Sequence, residues 1–271
     1  MSDLPTITAE DVRVEIDPVA GGRIAQITVG STPLLVGSDD VGGHPLAWGA
    51  YPMVPWAGRI REGRFEFRGT MYELPRNHDG HAMHGVGFTS AWTVAGHTPS
   101  RIELHLDLPS DERWPFGGSV RQTFEVDARG LTATMSVHAE DRAFPASFGW
   151  HPWFRKPSRL DFTPTAMYRR DDRHIAVDEL VEVPPGPWDD CFVNTAPVGL
   201  VVDGIELTIT SPCTDWVVYD EPPHATCVEP QTGPPDAFTI RPEAVEPGAS
   251  MTASFRLDTV DPHSAPSGAM M

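Results

Sequence analysis

The sequence predicts an all-β protein, built as a large antiparallel β-sandwich. Three observations carry the prediction. Apolar residues recur at every second position in several separate stretches, the pattern of strands with one buried face. The 28 prolines and 24 glycines are spread along the 271 residues rather than gathered in blocks, which supplies many turns and no low-complexity linker. No stretch of ten or more residues keeps a 3.6-residue apolar period, so no amphipathic helix competes with the strands. Many short strands joined by turns find a core by packing sheet on sheet.

The elements follow in order. Val12, Val14 and Ile16 alternate with polar neighbours, and Gly21-Gly22 and Gly30-Ser31 bracket a strand from Arg23 to Val29. Ile102, Leu104, Leu106 and Leu108 form another alternating set. Asp127-Ala128-Arg129-Gly130 reads as a hairpin turn leading into Leu131, Ala133, Met135, Val137 and Ala139. Residues Asp171 to Glu182 carry some helical character, with poor periodicity. Ile205, Leu207 and Ile209, then Met251, Ala253, Phe255 and Leu257, complete the strands. No composition break divides the chain, so one domain is expected over residues 1–260, followed by a disordered small-polar tail at 261–271.

The formal charge of −18 repels phosphate backbones and anionic lipid, which argues against nucleic-acid and membrane-surface partners. Cys191, Cys213 and Cys227 are too far apart for a zinc motif and odd in number for a disulfide framework. Reduced thiols in a cytoplasmic protein are the expectation, and the N-terminus shows no secretory pattern. The oligomeric state is left open.

Five segments depart from simple alternation. Cys227-Val228-Glu229-Pro230-Gln231, with Pro234-Pro235-Asp236-Ala237-Phe238, sets a carboxylate in an apolar, proline-stiffened run. It reads equally as a general base or as a core acid paired with an Arg. Tyr51-Pro52-Met53-Val54-Pro55-Trp56-Ala57-Gly58-Arg59-Ile60 offers a guanidinium fork for hydroxyls or carboxylates, against a surface Arg beside a core Trp. Asn77-His78-Asp79-Gly80-His81-Ala82-Met83-His84-Gly85 reads as a metal loop, a solvated loop or one His acting on a ligand. In Phe148-Gly149-Trp150-His151-Pro152-Trp153-Phe154 an imidazole lies among aromatics, which disfavours its charged form. It is either a proton-transfer group or a packed core His. Trp188-Asp189-Asp190 fits a polyol partner or an acidic turn.

Taken together, these segments resemble the aldose 1-epimerase (galactose mutarotase) family, from about Gly21 to Phe255. The resemblance rests on Ala57-Gly58-Arg59-Ile60 with Gly63-Arg64-Phe65. It extends to Asn77 and His84-Gly85 with Gly87-Phe88 and Trp92, to His151 with Trp153-Phe154, to Asp189-Asp190-Cys191-Phe192, and to Cys227-Val228-Glu229-Pro230-Gln231 with Pro235-Asp236-Ala237. It implies a β supersandwich and a mutarotase acting on an aldose with no metal or organic cofactor. It implies Glu229 as general base, His151 as general acid and His84 as a hydrogen-bond partner of the ring oxygen. Arg59, Asn77, Asp189, Trp153 and Gln231 would bind the sugar. Gly58 stands where many members have Asn, Val86 replaces a Gly, and Trp153 replaces a Tyr. Proton transfer at a hemiacetal needs one base and one acid, so Glu229 is expected ionised and His151 protonated at rest, with a bell-shaped pH profile. Three alternatives remain. A sugar-phosphate epimerase would need an Arg cluster, which Arg61, Arg64 and Arg76 could supply. The others are a non-catalytic sugar-binding protein and a glycosidase using Glu229 and Asp189.

Overall fold

The computed structural model describes residues 4–259, and the tail expected to be disordered at 261–271 lies outside them. Two antiparallel sheets dominate. One has eight strands, in the order Thr93–Thr98, Arg101–Asp107, Ser119–Asp127, Gly130–His138, Ser250–Thr259, Ile205–Thr210, Val198–Val202 and Arg159–Asp161. Burial alternates along the six strands between the edges as the sequence pattern requires, while the edge strands Thr93–Thr98 and Arg159–Asp161 bury no residue. Ile102, Leu104, Phe124, Leu131, Met135, Val137 and Leu257 are all buried on the inner face. The Asp127–Gly130 turn joins the second hairpin of this sheet in register.

The other sheet has eleven strands. Its path runs Thr6–Ala9, Val12–Asp17, Arg23–Val29, Ala50–Met53, Gly149–Arg155, Ala225–Gln231, Asp215–Tyr219, Asp189–Val193, Ala166–Arg170 and Ala176–Val181, with Thr32–Pro33 paired to the side of Arg23–Val29. Three central strands are covered on both faces. Every residue of Ala50–Met53 and Ala225–Gln231, and all but the last of Gly149–Arg155, is buried. Trp150, Phe154 and Val228 face the inter-sheet core. The Trp150 ring meets Phe255 of the opposite sheet at 5.1 Å, and its indole N–H donates to Gln122 Oε1 at 3.1 Å. Strand alternation then sends Tyr51, His151, Trp153, Cys227, Glu229 and Gln231 to the outer face.

Helix is limited to single turns among the described residues. The one α segment is Ala237–Ile240, and no helix there is long and apolar enough to cross a membrane. The helical character expected over Asp171 to Glu182 is not realised. Ala176–Val181 is a strand paired with Ala166–Arg170. The Asp171 carboxylate accepts the backbone N–H groups of Arg173 and Ile175 at 2.9 and 3.0 Å, a local turn that takes the donors a helix would need.

Candidate active site

The pairing of Trp153 with Cys227 and of Gly149 with Gln231 sets His151 directly across from Glu229. His151 Nε2 lies 3.2 Å from Glu229 Oε1, and the Gln231 amide donates to Glu229 Oε2 at 3.3 Å. His151 is held between two rings, with Tyr51 at 4.7 Å and 23° and Trp153 at 5.2 Å and 21°. These side chains form one wall of a cavity of about 340 Å³. Arg59, His84, Arg170, Asp189 and Tyr219 line it as well.

Burial sets the charge state of the pair. His151 is 7% exposed and Glu229 2%. Dehydration pushes the imidazole down to about 3. The carboxyl goes well above its usual range, first through dehydration and then through the nearby Asp189 charge, against the opposing pull of Gln231 and Arg59. The expected resting arrangement, ionised Glu229 beside protonated His151, is therefore corrected. The pair holds a single proton, and the dry wall favours the neutral form with that proton on the carboxyl. A core ion pair between Glu229 and an Arg is absent among the described residues. The buried guanidinium is Arg23, spent on backbone carbonyls such as Trp48 O at 3.0 Å and lying over the rings of Trp48 and Tyr51.

His84 sits at positive φ (61°) in the loop after Ala82–Met83. Its backbone N–H donates to Gly58 O at 3.0 Å, and the Gly58 N–H donates to His84 Nδ1 at 3.2 Å. Nδ1 is thus the acceptor, and with the ring's pKa held well below its usual value by burial, Nε2 carries the one N–H. The two glycines here are geometric. A Cβ on Gly58 would stand 2.7 Å from Pro235 Cβ, and one on Gly85 would stand 2.0 Å from Val54 O. An Asn at position 58 would collide in this backbone, which accounts for that departure from the family pattern.

Other expected residues divide. Arg59 reaches the cavity from a short strand paired with Ala82–Met83, and no ion pair engages it among the described residues. Asp189 reaches it too, but Arg170 holds it at 3.2 Å and Asp190 at 2.7 Å. Asn77 does not reach the cavity. Both ends of its amide are taken by the Met83 backbone, at 3.0 and 2.7 Å, so it ties the His84 loop instead of offering itself to a ligand. His78, His81 and His84 do not converge as a metal set. His78 lies beside Asp79 and His81 Nδ1 accepts the Glu62 N–H. Arg61, Arg64 and Arg76 are also off the cavity, paired with Asp171, Glu73 and Glu73.

Sequence reasoning gave no role to Tyr51, Arg170 and Tyr219. Tyr51 opens the segment that carries Arg59 but stands eight residues before it, and Arg170 and Tyr219 sit in ordinary strand contexts with no motif around them. Only the register, which places Tyr51 opposite His151, identifies the first.

A model of the aldose 1-epimerase family matches residues 4–258. The chain is 27% identical over 272 residues to YphB, an uncharacterized protein of Escherichia coli K12, covering 88% of this chain and 92% of that one. Its fold is similar to that of a galactose mutarotase-like protein from Clostridium acetobutylicum, with TM-score 0.84 and 17% identity over 94% of each chain. It is also similar to that of an aldose epimerase homologue from C. elegans, with TM-score 0.83 and 17% identity over 96% of this chain and 99% of that one. The match over nearly the whole chain, on the fold and site just described, places this protein in the aldose 1-epimerase family.

Proposed function

We propose that this protein interconverts the α and β anomers of a free aldose by acid/base ring opening and closure. One observation carries the reading: Glu229 Oε1 and His151 Nε2 lie 3.2 Å apart in the wall of a cavity that also holds His84 and Arg59. The anomeric hydroxyl gives its proton to Glu229 while His151 gives one to the ring oxygen. The C1–ring-oxygen bond breaks and the C1 carbonyl forms. Rotation about C1–C2 and the reverse transfers close the other anomer.

The dry wall helps this step. Ring opening turns an ionised Glu229 and a protonated His151 into a neutral pair, the direction that dehydration favours. The ionic form arises beforehand by moving the shared proton across the 3.2 Å contact. His84 Nε2–H supports the ring oxygen. Arg59, Asp189 and Gln231 bind hydroxyls, and Trp153 packs on a sugar C–H face. Asn77 acts through the His84 loop. The reading treats residues 1–260 as one catalytic domain, and three buried free thiols suit a cytoplasmic setting.

The sugar-phosphate alternative has one observation in its favour. An adjoining cavity of about 520 Å³ is lined by Arg59, Arg170 and Arg173, although Asp79, Asp189 and Glu221 line it too. Arg170 is committed to Asp189 and Asp190, and Arg173 to Glu62, which leaves Arg59. Polarimetry on freshly dissolved α-D-glucose and α-D-galactose, with and without protein, is the test. Faster decay of rotation supports the reading. Binding without acceleration, or acceleration confined to glucose 6-phosphate, overturns it.

A further inference from the structure

The outer face of the central strands carries a thiol that the sugar chemistry does not use. Cys227 lies two residues before Glu229 on the same strand, so both side chains face the same way, and it pairs across the sheet with Trp153. Its thiol is free and fully buried. One ligand atom from each of His151, Cys227 and Glu229 falls within 4.8 Å of the others. The His151–Glu229 edge is 3.2 Å, close to the roughly 3.3 Å between neighbouring N and O ligands of a tetrahedral zinc with bonds near 2.0–2.1 Å.

The geometry points to a zinc site formed by His151, Cys227 and Glu229, with its fourth position open to the cavity. The donor set is the one Zn²⁺ prefers: a thiolate, an imidazole and a carboxylate. The charges also close. Zn²⁺ with Cys227 thiolate and Glu229 carboxylate is neutral, so a bound ion sits in this dry wall without leaving net charge there. Binding breaks the S–H bond and releases its proton to solvent, together with any proton shared by His151 and Glu229. On the proposed function, which this consequence alone rests on, the ion occupies both proton-transfer groups and inhibits competitively with the sugar.

Direct titration tests the site independently of catalysis. Chelator-stripped full chain is titrated with Zn²⁺ by calorimetry, alongside Cys227→Ala and Cys191→Ala. Cys191 is a buried thiol lining the same cavity but outside the triad. The expected result is one Zn²⁺ per chain, with affinity at least about tenfold weaker in Cys227→Ala and unchanged in Cys191→Ala. Equal affinity in wild type and Cys227→Ala, or loss in Cys191→Ala, overturns the site. Co²⁺ added to the unmodified chain gives a second reading that needs no variant. A thiolate-to-cobalt charge-transfer band is expected, and its absence contradicts the assignment even if Cys227→Ala fails to fold. If zinc binds as described but mutarotation is not found, the site stands and the functional reading falls.

Discussion

The eight-stranded sheet and the three central strands of the larger sheet solve different problems with the same backbone. In the first, the strands between the two edges bury one face and leave the other more open, so apolar residues alternate and burial follows them. In the second, both faces are covered. The inner face of Gly149–Arg155 gives Trp150 and Phe154 to the core, while the outer face gives His151 and Trp153 to the cavity. One sheet is built for stability. The other spends its outer face on a dehydrated imidazole and carboxyl, which burial disfavours when charged. The cost is what gives the pair its chemistry.

That division can be broken from either side. On the site strands, His151→Gln is expected to lower the mutarotation rate by about 10²–10⁴-fold with little loss of folding stability, read by polarimetry and thermal melts. On the other sheet, Leu131→Ala removes a fully buried side chain and is expected to destabilise by about 2–5 kcal/mol in denaturant titration. Its rate per folded molecule should not change. If the Leu variant lost turnover while keeping its stability, or the His variant did the reverse, the two faces would not be separable.

The pH profile sharpens the contrast, because the site strands hold a buried imidazole–carboxyl pair. The pair keeps one proton from His151's value of about 3 up to the raised value of Glu229. Below that window it gains a second proton and the base is lost. Above it the last proton leaves and the acid is lost. Activity of chelator-treated protein should therefore stay level as the pH falls through about 6.5, where imidazole ordinarily titrates. An acid limb centred there would mean that His151 is hydrated in the working enzyme. The smallest effect concerns Asn77. Asn77→Ala leaves the Met83 N–H without its side-chain acceptor and is expected to cost about 1 kcal/mol of stability, with the KM for sugar little changed. A many-fold rise in KM would return Asn77 to the cavity wall.

The sequence displayed the two sheets unequally, for the same physical reason. Strands wet on one face, such as Ile102 to Leu106 and Leu131 to Val137, show their period directly. Ala225–Gln231 has no period to read because nothing in it is exposed, and Asp171 to Glu182 misled because its turn is made by a side chain. The site was legible where chemistry-bearing residues stand in unusual company, as at His151 and Glu229. Tyr51 and Arg170 were not, since strand register and an ion pair bring them to the cavity. Asn77 matched the family pattern in sequence, yet the loop consumes both ends of its amide. The charge state of the pair was also out of reach, because it depends on how completely the wall excludes water.

Glu229 as the base of mutarotation is tested most directly by polarimetry of α-D-galactose and α-D-glucose with wild type and Glu229→Gln, alongside their thermal melts. Glu229's raised pKa means that protonation favours the folded wild type, an advantage lost as pH rises through that value. The neutral isostere avoids the loss. Glu229→Gln is expected to fold at least as stably as wild type at neutral pH and above, and to lose about 10²–10⁴-fold in mutarotation rate. A folded Glu229→Gln that retains wild-type acceleration would contradict that role.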